Sequence, residues 1–159
     1  MIKLTNYNEI IKVLSSLVSD NKYDTSILSN AASYLYLNLG DVNWVGFYLA
    51  KDDGLHLTSF MGKPACIFLP YNKGVCAKAA TDLKPVLVKN VHEFKGHIAC
   101  DSASNSEIVV PLMVNNKLYG VLDIDSPIIN RFNEEDLKNL VTISSLIEKE
   151  IEKSNILLD

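Results

Sequence analysis

The stretch SEIVVPLMVNNKLYGVLDID, residues 106–125, constrains the fold more than any other. Side chains alternate between the two faces of a strand, so even and odd positions separate. Ile108, Val110, Leu112 and Val114 are apolar and even, and so are Leu118, Leu122 and Ile124 further on. Residues directly opposite one another share a face, so a common core requires the two even sets to pair. This parity predicts an antiparallel hairpin closed by three or five residues, not by the two-residue turn that Asn115-Asn116 would make. The same register gathers Glu107, Asp123 and Asp125 on the odd face at one end of the hairpin, beside Val109, Pro111, Tyr119 and Val121. Carboxylates at cross-strand spacing repel and raise one another's pKa unless a cation lies between them. Charges on an antiparallel sheet are often simply solvated, but here the neighbouring positions are apolar, and a covered face with acids at one end reads as a site.

The rest of the chain supplies helices and a mostly antiparallel sheet. Asn6 and Glu9 resemble a capping box, and Ile10, Leu14, Leu17 and Val18 then recur at helical spacing, predicting a helix over 7–19. A second helix is expected from about Thr25 to Leu39, ending at Gly40. Strands are expected at 43–50 and 55–60 around the turn Lys51-Asp52-Asp53-Gly54. An irregular stretch with a short helix at 75–83 and a strand at 85–88 follows, then a loop over 91–105 and the 106–125 hairpin. A closing helix starts at Asn133, with Leu137, Leu140, Val141, Ile147 and Ile151 as its apolar positions. Strands this close in sequence leave no room for repeated crossover helices, so the fold class is α+β: one domain over 1–159, a mostly antiparallel sheet with helices packed on one face.

A net charge of −4 argues against a nucleic-acid partner. No apolar run reaches the roughly 18–20 residues needed to cross a bilayer, and MIKLTNYNEI lacks the apolar block of a signal peptide. A cytoplasmic protein is expected. In a reducing compartment structural disulfides are rare, and Cys66, Cys76 and Cys100 cannot all pair within one chain. Each could be a small buried hydrophobe. Structural zinc is disfavoured, since there is no C-x-x-C pair and His92 and His97 offer no ligand spacing. Cys100 stands apart, in the loop segment GHIACDSASNSE just before the acidic strand. Loops beside a rigid sheet often carry reactive groups. His97 would favour its thiolate and Asp101 would oppose it.

In the first strand Val45, Phe47 and Leu49 form the aliphatic face, which leaves Trp44 and Tyr48 facing the acids with Gly46 between them making room for a ligand. Aromatic walls and carboxylates suit a small ammonium compound. A Mg²⁺ or Ca²⁺ site is the weaker alternative, because aromatic walls serve a hard cation poorly.

The segments NWVGFYL, GKPACI, LPYNKGVC, GHIACDSASNSEIVVPL and GVLDIDS resemble the free methionine-R-sulfoxide reductase family, whose fold is a single GAF domain. The resemblance runs from about Asp41 to Phe132. It implies that Cys100 attacks the sulfur of free methionine-(R)-sulfoxide, releasing methionine and leaving a sulfenic acid. Cys66 would condense with that acid to a disulfide, Cys76 being an auxiliary thiol, and thioredoxin would reduce the disulfide. It further implies that Glu107, Asp123 and Asp125 hold the amino acid and deliver protons, that Trp44 and Tyr48 wall the substrate, and that amides near Ile98–Cys100 hold the sulfoxide oxygen. No bound cofactor is expected, thioredoxin is the external reductant, and a homodimer is the family expectation. Three positions depart from the family pattern, all outside these pocket residues: Ala77 for the usual Gly after GVC, Phe68 for a frequent Arg and Asn90 for a frequent Asp. The competing function is a GAF-type sensor that binds a small molecule without chemistry.

Overall fold

The computed structural model of the protein describes residues 5–158, so the Met1–Leu4 part of the leader reading lies outside the described residues. The first helix, α1 (Tyr7–Val18), starts at the expected cap, where Asn6 Oδ1 accepts the Glu9 amide at 3.2 Å. Ile10, Leu14 and Val18 are buried, whereas Leu17 turns outward. Helix α2 spans Asp24–Asn38. Helix α4 (Glu134–Leu158) opens on a reciprocal cap in which Asn133 and Asp136 each accept the other's amide at 2.9 Å. The buried face of α4 includes Leu140, Ile143, Ile147 and Ile151, whereas Val141 is partly exposed. Ile143 and not Val141 thus completes the stripe, as a 3.6-residue period from Leu140 and Ile147 requires. Among the described residues no helix is long and apolar enough to cross a membrane.

Six strands form one antiparallel sheet: β1 (Trp44–Lys51), β2 (Gly54–Gly62), β3 (Phe68–Leu69), β4 (Val86–Val88), β5 (Ser106–Val114) and β6 (Lys117–Ser126), in the order β3-β2-β1-β6-β5-β4. Pairing of β5 with β6 joins the even sets as parity demands, with Ile108 opposite Ile124 and Val110 opposite Leu122. The loop differs from the expected one. Val114 pairs with Lys117 across a two-residue Asn115-Asn116 turn, and both asparagines have positive φ, 52° and 62°. Such a turn matches the twist of a hairpin, and asparagine tolerates this backbone region better than most residues. An extra residue on β6, where the register shifts between Leu112 and Met113, restores the parity. Beyond that bulge the faces exchange. Tyr119 packs with the helices and donates to Asp24 Oδ2 at 2.8 Å, while Leu118 joins the opposite face.

Helices α1, α2 and α4 cover one face of the sheet, enclosing Val45, Phe47, Ile108, Val110, Leu112, Leu122 and Ile124. The other face is covered by the fourth helix, α3 (Val75–Asp82), and by the long connections around it. Trp44, Tyr48, Val109 and Val121 lie there. Short β3 is added to the expected strands, and a single 3-10 turn, Val91–Glu93, interrupts the expected loop.

Candidate active site

The odd face of the hairpin becomes the floor of a pocket of about 570 Å³ including its open mouth. Glu107 pairs with Asp125, Asp123 pairs with Val109, and β1 brings Trp44 beside Asp125 and Gly46 beside Asp123. Three carboxylates from two adjacent strands therefore converge under Trp44 and Tyr48. Glu107 and Asp123 are buried, and Asp123 Oδ1 has no hydrogen-bond partner among the described residues. Among the described residues the one ion-pair contact to the cluster comes from His97, whose Nε2 lies 3.8 Å from Glu107 Oε1. Its own pKa is lowered by burial and by His92, so it is a poor counter-charge.

With no lysine or arginine ion-paired to the acids among the described residues, burial favours their protonated forms. Burial, then the negative fields of Asp123 and Asp125, push the Glu107 carboxyl well above its ordinary value. Burial, then Asp123 and Asp101, do the same to Asp125. Asp123 is raised by burial, with hydrogen bonding from Glu107 and Cys76 acting against the rise. A buried carboxyl that is neutral near neutrality can donate a proton, and the cluster as a whole attracts an incoming cation.

Helix α3 turns Cys76 toward the acids. Its thiol is buried, unbonded to another cysteine, and pushed up by burial and by the field of Asp123. Cys76 Sγ and one oxygen each of Glu107 and Asp123 lie within 4.8 Å of one another, the spacing at which a cation could be shared. A thiol is a poor ligand for Mg²⁺ or Ca²⁺, so this donor set does not fit the hard-cation alternative.

Cys66 and Cys100 are joined by a disulfide with Cα atoms 5.6 Å apart. Cys100 lines the pocket; Cys66 belongs to the loop above it. The two aromatic residues of β1 hold that loop: the Trp44 indole N–H donates to the Lys63 carbonyl at 3.2 Å, and the Tyr48 hydroxyl to the Cys66 carbonyl at 2.9 Å. On the other side the Asn43 amide donates to Asp101 Oδ2 at 3.1 Å and to Ser104 Oγ at 3.2 Å, tying the Cys100 loop to the start of β1.

Three expectations need correction here. Gly46 does not open space for a ligand: a Cβ there would lie 2.5 Å from Phe60 Cβ and 2.8 Å from Trp44 Cζ3, because the indole folds back over Gly46 and stacks on Phe60. The Cys100 amide already donates to the Ile98 carbonyl at 3.2 Å, which takes it out of the donor set expected for the sulfoxide oxygen. Ala77 lines the pocket, so that departure from the family pattern does touch the site. Asn90 keeps the role an aspartate would have, its side chain accepting the His92 amide at 3.0 Å. Asn43, Lys63 and Lys73 carry no sequence signal of their own, since only the folded loops bring them to this region.

An antiparallel sheet with helices on both sides and a pocket between one face and a short helix is the architecture of a GAF domain, and the GAF domain family model matches residues 25–152. Within that class the chain belongs to the free methionine-R-sulfoxide reductase family. It is 43% identical to the free methionine-R-sulfoxide reductase of Escherichia coli, over 94% of this chain and 90% of that protein. The fold superposes on the reduced form of fRMsr of Staphylococcus aureus with a TM-score of 0.92 at 47% identity, covering 94% of this chain and 97% of that one. It matches the free methionine-R-sulfoxide reductase of Neisseria meningitidis in complex with its substrate with a TM-score of 0.92 at 35% identity, covering 99% and 97%.

Proposed function

We propose that this protein reduces free methionine-(R)-sulfoxide to methionine with Cys100 as nucleophile. One observation carries the reading: a disulfide-capable cysteine pair beside a pocket whose floor gathers three carboxyls, each with its pKa raised by burial. The cluster of Glu107, Asp123 and Asp125 binds the substrate's ammonium group, and Trp44 and Tyr48 enclose its methyl sulfoxide end. Cys100 sulfur then attacks the sulfoxide sulfur. Breaking the S–O bond requires a proton on oxygen, which a neutral carboxyl of the cluster supplies. Oxygen leaves on Cys100 as sulfenic acid and methionine is released. The Cys66 thiol displaces water from that acid to form the disulfide, and a thioredoxin dithiol returns both cysteines to thiols. Cys76 stays in reserve, its burial keeping the thiol protonated.

The test is methionine release from free methionine-(R)-sulfoxide, with either dithiothreitol or thioredoxin as reductant. The wild type should turn over with both and Cys100→Ser with neither. Cys66→Ala should release one equivalent and then stall with thioredoxin, whereas full cycling would transfer resolution to Cys76. No methionine from the wild type under either reductant removes the reductase reading and leaves a ligand-binding GAF module.

A further inference from the structure

The reaction cycle proposed above, on which this step rests, leaves a disulfide that must meet another protein. We propose that the exposed edge formed by Ile67 and Phe68 is the docking surface for a protein dithiol reductant, and that the reductant's thiolate attacks the Cys66 sulfur. Solitary exposed hydrophobes are common, but these two follow Cys66 directly, with relative exposures of 77% for Ile67 and 41% for Phe68. Their backbone is held firmly. The Ile67 carbonyl accepts the Leu57 amide at 2.9 Å, and Phe68 pairs with His56 in β3, the outermost strand of the sheet. The Phe68 ring also packs against His56, with centroids 5.1 Å apart. Ile67 is therefore an ordered apolar side chain presented to solvent one residue from a reactive bond.

Two further observations set the partner's chemistry and the sulfur it attacks. Lys63 and Lys73 stand exposed at the pocket mouth and make no ion pair among the described residues, although the chain is acidic, so the partner carries acidic groups around its dithiol. Cys100 lines the pocket whereas Cys66 does not. Attack on Cys66 forms a mixed disulfide there and breaks the Cys66–Cys100 bond, so Cys100 leaves as a thiolate into the pocket. The reductant's second thiol then attacks its own partner sulfur, releasing Cys66. Two electrons and two protons pass from the dithiol to the protein.

Two measurements test this. Oxidised protein is mixed with a thioredoxin whose second cysteine is serine, and the trapped adduct is mapped by peptide mass. An adduct at Cys66 is expected; one at Cys100 overturns the choice of sulfur. Thioredoxin-supported turnover of Ile67→Asp is then compared with dithiothreitol-supported turnover. KM for thioredoxin should rise about tenfold, as for loss of one central apolar contact, with the dithiothreitol rate unchanged. For the wild type that KM should also rise with salt, and a salt-independent KM removes the charge argument. An unchanged thioredoxin KM in both Ile67→Asp and the Ile67→Asp, Phe68→Asp double variant overturns the docking surface. An equal fall with both reductants does so too, because it places the defect in the pocket. Failure of the wild type with dithiothreitol would instead strike the reductase reading itself.

Discussion

One sheet carries two faces that differ in almost every physical respect. Under α1, α2 and α4 the face is aliphatic and closed, with Val45, Phe47, Ile108, Leu112, Leu122 and Ile124 inaccessible to water. Under α3 the same strands present Glu107, Asp123 and Asp125, two of them buried, below a short helix whose buried side chains are Val, Cys and Ala. The helical face supplies stability, because apolar burial has no competing desolvation cost. The pocket face consumes some of it, since each carboxyl leaves water without a strong cation to replace the lost solvation. A destabilised cluster is tolerable only because the opposite face over-determines the strand register that creates it. The proposed site lies on the side where physics is least favourable, as a site built to receive a charge would.

The sharpest way to break this division is to substitute one residue on each side. Asp125→Asn keeps shape and removes a titrating group. Turnover should fall by about 10²–10⁴-fold, the usual contribution of a positioned acid or base, with the melting temperature held or raised. Steady-state methionine release and calorimetry check both, and a nearly normal rate would show that the acids serve only to attract the substrate. Phe47→Ala, on the helical face, should cost about 3–5 kcal/mol in denaturant unfolding. The folded fraction should keep a near-normal KM for the sulfoxide. A large KM change would mean the two faces are coupled through β1.

That division was legible in the sequence because period-two patterning needs no tertiary information. That Glu107, Asp123 and Asp125 share one face follows from strand parity; which of them pair, and that Trp44 lies beside Asp125, needed the sheet itself. The turn was not legible: parity demanded an odd loop, and the chain satisfied it with a two-residue turn plus a bulge at Tyr119, two solutions that patterning cannot separate. Gly46 misled because space beside a glycine is claimed by whichever neighbour reaches it first, here Trp44. The residues that tie the loops down, Asn43 to Asp101 and Tyr48 to the Cys66 carbonyl, join segments distant in sequence with no shared period to reveal them. Cys66 and Cys100 as partners were suggested by family resemblance, not by spacing.

A smaller effect separates the faces by pH. Glu107 and Asp125 have folded-state values well above their ordinary 4.5 and 3.8, so above roughly pH 4 the native state binds more protons than the unfolded chain. Their contribution to stability is therefore fully present below those ordinary values and is lost as pH rises through the raised ones. The melting temperature of the substrate-free protein should fall between pH 5 and pH 8. Glu107→Gln should flatten that slope, because the amide cannot titrate; a slope identical to wild type would mean the cluster's charge is compensated by a group outside it.

The smallest effect concerns the seam where pocket and cysteine loop meet. Tyr48 belongs to the floor through its ring and to the loop through its hydroxyl, which donates to the Cys66 carbonyl. Tyr48→Phe keeps the ring and deletes the bond, leaving a carbonyl on the half-buried Cys66 with solvent as its alternative partner. A net loss of about 0.5–1.5 kcal/mol is expected, the ordinary worth of one such hydrogen bond. Its division between steps is the informative part. If the bond serves to hold Cys66 within reach of Cys100, the first equivalent of methionine should appear at nearly the wild-type rate while disulfide formation slows by up to about tenfold, the rate equivalent of that energy. Rapid-quench measurement of methionine against free-thiol titration separates the two. Equal slowing of both would mean the hydroxyl acts on the substrate, placing it with the acids instead of with the loop.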